Sequence, residues 1–407
     1  MTKDLQWRNI TMKKFASMLL ALCMLLSLFT VANADAVAAE DVKIGLICIG
    51  DENEGYTANH INGLRAACAE LGISEGQIIY KYNTPETEAA YDAAIDLAEQ
   101  GCDVIFANSF GHETYIWLAA EEYPEIEFCH ATGTGASATG LENTHNFFAA
   151  IYEARYVAGV VAGMKLNQMI EEGKITAEQA KIGYVGAFPF EEVKSGYTAF
   201  YLGARSVCAS ATMEVKFTNS WGDLALEKEA AEALIANGCV LISQHADTTG
   251  APTACEAAGV PCVGYNISMI PAAPNTALTS AAINWAAYFK FALQNVLAGQ
   301  YFSSDWCQGY VDGAVYVTEL NEGLVAPGTA EKVAEVEDAI KNGALHVFDT
   351  ATFTVKGETV TTCTAYDTDG DYVPDYGEAI VDGYFAESVL RSAPYFGLDI
   401  DGITMVE

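Results

Sequence analysis

The sequence predicts an α/β protein of two doubly wound lobes, each a parallel sheet with helices on both faces. Short β-rich runs alternate with helical stretches in two successive series, and runs such as VKIGLICI and DVIFA are apolar at nearly every position. Strands that are apolar throughout are typical of parallel sheets covered on both faces. We therefore expect a cleft between the lobes, at the carboxyl ends of the strands.

The first lobe is predicted to begin with a βαβαβ series. Its elements are a strand over 42–49, a helix over 63–71, a strand over 77–82, a helix over 89–100 and a strand over 103–108. A later helix over 284–297 and the segment GYVDGAVYV are interpreted as the chain returning to this lobe. Lobe 1 is thus expected to contain residues 41–150 and about 280–318.

The second series follows a long helix predicted over 152–169. Strands are predicted over 181–188, 212–219, 239–244 and 261–266, with helices over 193–205, 227–237 and 249–258. Lobe 2 is expected to contain residues 151–279 and about 319–348. From Thr350 the composition shifts to Thr, Asp, Gly and Tyr, so residues 349–407 are expected to form a peripheral C-terminal extension.

The N-terminus has the pattern of a secretory signal. Lys13 and Lys14 precede an uncharged, largely apolar run from Phe15 to Val31, and small residues follow at Ala32 and Ala34. The run is short for a membrane span, and no later segment is apolar for long enough. We expect residues 1–34 to be a signal peptide and the mature protein to be extracytoplasmic, either secreted or associated with the outer face of the membrane.

Cys23 is an alternative processing point, because exported proteins are often cleaved before a cysteine that carries lipid. Leu22 occupies the preceding position, where a small residue is preferred, so cleavage near Ala34 or Ala36 is favoured. An uncleaved N-terminal anchor is a further alternative.

The chain is strongly acidic, with a formal net charge of −34 at pH 7. Such a surface repels nucleic acid and anionic membranes. The secretory pattern and the lack of a basic helix-turn-helix also argue against a DNA-binding regulator. A cleft in this protein favours a neutral or cationic small molecule over a phosphorylated one. Alternatively, the acidity only keeps an exported protein soluble.

Ten cysteines lie outside the leader, and most occur in apolar runs where they resemble small buried hydrophobic residues. Export permits disulfides, and Cys255 and Cys262 form the closest pair, but no C-x-x-C spacing indicates a metal or redox site. We expect mostly free, buried thiols.

The C-terminal segment contains a calcium-loop spacing of carboxylates at Asp367, Asp369, Asp371, Asp375 and Glu378. Tyr372 stands where the loop needs a glycine, and paired amphipathic helices are lacking on either side. A solvated acidic turn is the alternative, and no cofactor or other metal is expected.

Aromatic residues in loops that follow predicted strands are the first candidates for binding a ligand. Tyr56, Phe110, Phe188, Phe190 and Trp221 occupy such loops, where flat rings suit a planar heterocycle or a sugar. Some of them are expected only to seal the core. The candidate hydrogen-bonding residues in similar positions are Thr57, His60, His245, Asp247 and Asn266.

Several motifs resemble those of the basic membrane protein family, which includes purine-nucleoside receptors of ABC transporters. They are FANSFGHE, NFFAAIYEARYVAGVVAGM, IGYVGAFPFEEVKSGYTAFYLGARSV and SWGD, and the resemblance runs from Val42 to Phe348. It implies a type I periplasmic-binding fold, with Tyr56 and Trp221 in the places of the aromatic residues that enclose the purine.

The resemblance also implies an altered ribose site. Family members hold ribose with an Asp in a Val-Asp-Ser-Asp segment and a Lys after Thr-Ser, whereas this chain has Asn266 in Tyr-Asn-Ile-Ser and runs from Ser280 to Asn284 without a lysine. The patterns GYT-x-x-H and N-W-x-x-Y, which include Trp285, resemble a branch of the family that binds a free nucleobase.

The leading interpretation is a receptor that delivers a purine-like solute to an ABC permease, as a monomer and without catalysis. Lobe closure would exclude water and make the complex competent to dock. The alternatives are a receptor for a sugar or another small polar metabolite, a sensor-coupled receptor, and an exported hydrolase using His245 and Asp247. Neither residue has an evident nucleophile or metal beside it in the sequence.

Overall fold

A computed structural model of the protein describes residues 36–365 and 377–407, and two largely parallel sheets form the cores of two lobes. The first sheet has the order β11-β5-β4-β3-β1-β2, with all neighbours parallel. Its strands are β1 (Ile44–Ile47), β2 (Ile78–Lys81), β3 (Val104–Ala107), β4 (Glu127–Ala131), β5 (Thr144–Phe147) and β11 (Asp305–Trp306).

The second sheet has the order β12-β10-β9-β8-β6-β7-β17, and only the pair of β10 and β12 is antiparallel. Its strands are β6 (Lys181–Gly186), β7 (Thr212–Phe217), β8 (Leu241–His245), β9 (Cys262–Tyr265), β10 (Ala277–Ile283), β12 (Val315–Val317) and β17 (Ile403–Met405). Two small hairpins pair β13 (Thr364–Ala365) with β14 (Gly377–Glu378), and β15 (Ile380–Val381) with β16 (Tyr384–Phe385).

Helices cover both faces of each sheet. They are α1 (Gly55–Leu71), α2 (Glu88–Glu99), α3 (Glu113–Glu122), α4 (Ala136–Thr139), α5 (Ile151–Glu171), α6 (Glu191–Val207), α7 (Leu224–Ala236), α8 (Gly250–Ala258), α9 (Ala286–Ala298) and α10 (Thr329–Lys341). On the first sheet α1 packs with α9 and α2 with α3, while on the second α5 packs with α6 and α7 with α8. Within the described ranges, no helix is both long and apolar enough to cross a bilayer.

Helices α5 and α6 approach each other unusually closely because glycines face the partner backbone. A Cβ atom at Gly159 would lie 2.0 Å from the Phe200 carbonyl oxygen, and one at Gly203 would lie 2.0 Å from that of Tyr156. Side chains at these positions would force the helices apart. The motif YVAGVVAG thus serves packing in lobe 2.

The prediction of a doubly wound pair of lobes is confirmed, but the crossing points differ from those expected. Strand Ala277–Ile283 lies wholly in the second sheet, so the chain returns to lobe 1 after residue 283 rather than near 280. Strand Val315–Val317, expected in lobe 1, pairs antiparallel with β10 in lobe 2. The pairing of β10 with β12 satisfies backbone groups that would otherwise stand at an open edge.

The C-terminal segment is built into the molecule, contrary to the expectation of a peripheral extension. Strand Ile403–Met405 adds to the edge of the second sheet beside β7. Phe385 and Phe396 are buried, and the Phe396 ring stacks 4.3 Å from that of Phe348. The Ser392 amide donates to Asp305 of lobe 1 at 2.7 Å, so this segment contacts both lobes. Its apolar residues, rather than its average polarity, determine where it packs.

The ten cysteines outside the leader are all described, and none forms a disulfide. Eight are buried and two, Cys307 and Cys363, are half-buried. The prediction of mostly free, buried thiols is confirmed. Residues 1–34 and Cys23 lie outside the described residues.

Candidate functional site

Residues at or beyond the carboxyl ends of strands in both sheets line one cavity between the lobes. The lining residues are Ile49, Tyr56, Asn108, Ser109, Phe110 and Thr132 from lobe 1, and Glu192, Trp221, His245, Asp247 and Tyr265 from lobe 2. The space that they enclose, measured to its opening, is about 360 Å³. This position, at the carboxyl ends of the strands and between the lobes, is typical of small-molecule sites in two-lobed α/β proteins.

Tyr56 is positioned by the start of α1, which begins earlier than the sequence predicted. The Glu54 carboxylate caps this helix by accepting hydrogen bonds from the amides of Tyr56 and Thr57. A carboxylate at this end satisfies free amides and complements the helix dipole. The Tyr56 ring is buried, and its hydroxyl has no protein partner, so it is available to a ligand.

His60 and Trp285, predicted as ligand contacts, lie behind Tyr56 in the core of lobe 1. Their rings stack at 3.9 Å, and the His60 ring packs edge-on against Tyr56 at 4.6 Å. Burial lowers the pKa of His60 well below its ordinary value, so the imidazole is neutral. Neither residue lines the cavity. His60 lies one turn inside α1, where its ring packs beside those of Phe147 and Phe289 as well as Trp285. The His60 and Trp285 rings both pack against the Tyr56 ring and hold it in place at the cavity.

Thr57 also lies behind the cavity wall and holds a lining residue in place. Its hydroxyl accepts a hydrogen bond from the Asn108 side-chain amide at 3.4 Å. The Asn108 side-chain oxygen accepts one from the Ile49 amide at 2.9 Å. Asn108 was missed by the sequence analysis, although FANSFGHE places it at the end of a predicted strand.

An aromatic cluster forms the mouth of the cavity. Trp221 lines the cavity and packs edge-on against Phe188 at 5.1 Å, and Phe188 stacks on Phe190 at 5.2 Å. Phe110 of lobe 1 contacts Phe190 of lobe 2 at 5.7 Å, so the two lobes meet here. Phe188 does not line the cavity but supports Trp221.

The lobe 2 wall is acidic. Asp247 is buried, and one of its oxygens accepts a hydrogen bond from the Asn266 side chain at 2.8 Å. Burial, together with the nearby carboxylates of Glu54 and Glu227, raises the pKa of Asp247 well above its ordinary value. Asn266 therefore positions Asp247 instead of lining the cavity itself.

His245 and Glu192 form a second polar group in this wall, and Glu192 was not predicted from the sequence. The His245 Nε2 atom lies 3.1 Å from Glu192. Burial and the charge of Arg155 lower the pKa of His245 to about 4. Since Glu192 is an acceptor, the neutral ring carries its proton on Nε2.

Arg155 supports this wall from the core of lobe 2, where it is fully buried. It donates to the Gln244 carbonyl oxygen at 2.6 Å, and its guanidinium lies 3.6 Å from the centre of the Tyr265 ring. The signal in the sequence was the single charged residue within the apolar run ARYVAGVVAG. Glu192 could also have been identified from the sequence, because it follows strand β6 and lies at the start of helix α6.

No cation lines the cavity, since its lining residues include neither lysine nor arginine. In the parts of the chain that the structure describes, no three His, Cys, Asp or Glu side chains are arranged to hold a metal ion. Of the calcium candidates, Asp367, Asp369, Asp371 and Asp375 lie outside the described residues. The Glu378 carboxylate accepts hydrogen bonds from the amides of Cys363 and Ile380.

Comparisons with known proteins agree with the fold. The family described as "ABC transporter substrate-binding protein PnrA-like" matches residues 42–347. A purine-binding protein of Brucella abortus is 32% identical over 315 residues, which cover 77% of this chain and 85% of that protein. A putative ABC transporter glucose-binding protein, TsgA13 of Haloferax volcanii, is 34% identical over 256 residues, covering 63% and 61% of the two chains.

Among solved structures, a solute-binding protein of an ABC transporter system from Aeropyrum pernix K1 superposes with a TM-score of 0.62 at 16% identity, covering 75% of this chain and 93% of that one. At this identity the match concerns the fold alone. It confirms the type I periplasmic-binding fold that the motif resemblance implied.

Proposed function

The chain belongs to the PnrA-like family of ABC transporter substrate-binding proteins, and on this premise we propose that it binds a purine, as the free base or a nucleoside, in the cavity between its lobes. The observation that carries the proposal is that each lobe contributes an aromatic wall to the same cavity. Tyr56 comes from lobe 1 and Trp221 from lobe 2. A planar ring held between two aromatic side chains gains stacking energy of about 1 to 3 kcal/mol per contact.

The polar groups of the cavity suit the edge of a purine. Asp247 and Glu192 offer acceptors to ring N–H and exocyclic amino groups. Because the wall is acidic and lacks a cation, a phosphorylated nucleotide is disfavoured. The expected ligand is thus uncharged and rich in N–H donors.

The altered ribose segment supports recognition of a free base. The Asn266 side chain is already bonded to Asp247, and Asn284 is exposed and donates to the Gly313 carbonyl oxygen at 3.0 Å. Neither residue offers a charged group to the hydroxyls of a sugar. We expect the free base to bind at least as tightly as its riboside.

In this proposal the protein is exported, acts as a monomer outside the cytoplasm and delivers its ligand to an ABC permease without converting it. The family binds solutes rather than catalysing reactions. Ligand bound between the lobes would favour the closed arrangement that a permease recognises. The secretory pattern at residues 1–34 supports the location.

A sugar ligand is the second candidate, because the Haloferax volcanii relative is named as a putative glucose-binding protein. Aromatic side chains also stack on sugar rings, so the aromatic walls alone do not separate the two ligand classes. The acidic acceptors would bind sugar hydroxyls as well as purine N–H groups.

A thermal-shift panel tests the proposal. The mature protein is heated with adenine, guanine, hypoxanthine, their ribosides, glucose, galactose and representative amino acids. A ligand at 100 times its dissociation constant stabilises the folded state by about 2.7 kcal/mol. A shift with at least one purine supports the proposal, and no shift with any purine would refute it.

A further inference from the structure

Thr132 combines three features that the proposed purine site does not by itself require. It lines the cavity from lobe 1, it is only 6% exposed, and its hydroxyl has no hydrogen-bond partner in the protein. A buried hydroxyl without a partner is unfavourable unless a ligand or water supplies one. The hydroxyl is therefore free to bond whatever occupies the cavity.

The backbone of Thr132 is also strained. Its φ angle is +72°, in the left-handed region that a β-branched residue rarely adopts. Two other residues close to the site share this conformation, Asn219 at φ +54° and Asn266 at φ +67°. Asparagine tolerates the left-handed region, whereas threonine does so only at a cost in stability.

The surrounding structure enforces this conformation from both sides. The Thr132 amide donates to the Phe147 carbonyl oxygen at 3.2 Å. The amides of Thr134 and Gly135 both donate to the Glu113 carboxylate at 2.8 Å, which fixes the loop on the other side. A Cβ atom at residue 133 would lie 2.2 Å from Glu113, so the intervening glycine is needed for this close approach.

Among the other polar lining residues of lobe 1, Asn108 and Ser109 are less available, whereas the Tyr56 hydroxyl also lacks a partner in the protein. The side-chain oxygen and amide of Asn108 are both used within lobe 1, and the Ser109 hydroxyl donates to Glu86 at 2.7 Å. Glycine or asparagine at position 132 would relieve the strain but would remove the threonine hydroxyl from the cavity. A threonine that keeps a strained backbone at a ligand site indicates that the site uses its side chain.

We propose that Thr132 is a specificity-determining contact whose hydroxyl, held at the cavity wall by its left-handed backbone, bonds a polar edge atom of the bound ring. This inference rests on the proposed function, because it takes the ligand to be a purine. The residue would select among purines according to the group placed opposite the hydroxyl. Asp247 and Glu192 would bind the ligand from lobe 2.

The first test measures strain without any ligand. Thr132→Gly and Thr132→Ala both remove the hydroxyl, but only glycine adopts the left-handed region freely. We expect the glycine variant to melt about 2 °C or more above the alanine variant, the reverse of the usual order of these residues. An alanine variant that is equally stable or more stable would overturn the claim of strain.

The second test measures binding by calorimetry, using whichever of adenine, guanine and hypoxanthine stabilises the wild type most. Thr132→Val keeps the shape and loses the hydroxyl, and should weaken binding about fivefold or more. Thr132→Ser should stay within about threefold. Thr134→Val is the matched control, since Thr134 belongs to the same loop but does not line the cavity.

The outcomes separate this inference from the proposed function. If the wild type binds a purine and Thr132→Val binds it equally well, the function stands and the contact is refuted. If the wild type binds none of the three bases or their ribosides, the purine function fails and the contact fails with it. A selective loss in the valine variant supports both.

Discussion

The Gly55 amide donates a hydrogen bond of 3.1 Å to the Asp247 carbonyl oxygen, joining the first residue of α1 in lobe 1 to the loop after β8 in lobe 2. Both residues lie beside the cavity, and Asp247 lines it. The bond can form only when the lobes are close together. It therefore links closure of the lobes to assembly of the binding site.

Replacing Gly55 should hinder closure. A Cβ atom there would lie 2.9 Å from the Asp247 carbonyl oxygen, closer than such atoms normally approach. Gly55→Ala should weaken purine binding about fivefold or more, measured by calorimetry, because the closed state becomes less favourable. The control is Gly222→Ala, whose added Cβ would meet its nearest neighbours at an ordinary 3.7 Å. Equal affinities of the two variants would contradict this role for Gly55.

Replacing Trp221 should remove one wall of the cavity with little effect on folding, because this side chain is only half-buried. Trp221→Ala should weaken purine binding about fivefold or more, since base stacking is worth about 1 to 3 kcal/mol. Trp221→Phe keeps a ring and should recover much of the affinity. Tyr301→Ala, at an exposed position, is the control for removal of an aromatic ring. Unchanged affinity in Trp221→Ala would exclude stacking by this residue.

Tyr56→Ala should also weaken binding about fivefold or more. This substitution should lower the melting temperature as well, because the Tyr56 ring packs against His60 and Trp285. The affinity is therefore measured by calorimetry at a temperature well below the transition. Full affinity in the folded variant would show that Tyr56 is only a core residue.

Stability should depend on pH through Glu227, whose pKa burial raises from the ordinary 4.5 to about 7. A carboxyl group with a raised pKa binds its proton more tightly in the folded state. Its stabilising contribution is therefore complete below about 4.5 and is lost as the pH rises through about 7. As the pH is raised from 5 to 8, the melting temperature of Glu227→Gln minus that of the wild type should increase by about 2 °C or more.

The control for this pH effect is Glu229→Gln, an exposed position on the same helix. Its melting temperature relative to the wild type should stay nearly constant over the same pH range. A gain for Glu227→Gln that does not grow with pH would show that the carboxyl group does not titrate in this range.

The thiols should be largely unreactive in the folded protein. Burial raises the pKa of Cys129 well above its ordinary value and that of Cys68 to about 12, which suppresses the reactive thiolate. With an aromatic disulfide reagent at pH 8, at most the half-buried Cys307 and Cys363 should react before unfolding. Rapid reaction of more than two thiols per mature chain would contradict the burial pattern.

Much of the fold could be predicted from local patterns. Apolar strands and helical stretches recur in order, and most of the predicted elements match the structure within a few residues. Helix α1 starts eight residues before the predicted 63–71 because the Glu54 cap extends it to Gly55. That extension explains why His60 was wrongly placed at a loop.

The remaining differences arise from long-range contacts that local sequence does not encode. Strand Val315–Val317 is short, and its lobe is decided by pairing with β10. The C-terminal segment is polar on average, yet Phe385 and Phe396 bury themselves against Phe348. At the site, Tyr56, Phe110, Trp221, His245 and Asp247 could be chosen because they follow strands. Thr132 could not be chosen from the sequence, since its significance depends on its positive φ angle and on the lack of a protein hydrogen-bond partner for its hydroxyl.

Calorimetric titration of the wild-type mature protein is the most direct test of the central claim. Adenine, guanine and hypoxanthine, their ribosides and D-glucose are each titrated under the same conditions. We predict that at least one purine base binds one to one, at least as tightly as its riboside, and that glucose does not compete with it. A riboside preference of about tenfold or more would contradict recognition of the free base, and binding of glucose without any purine would contradict the proposed function itself.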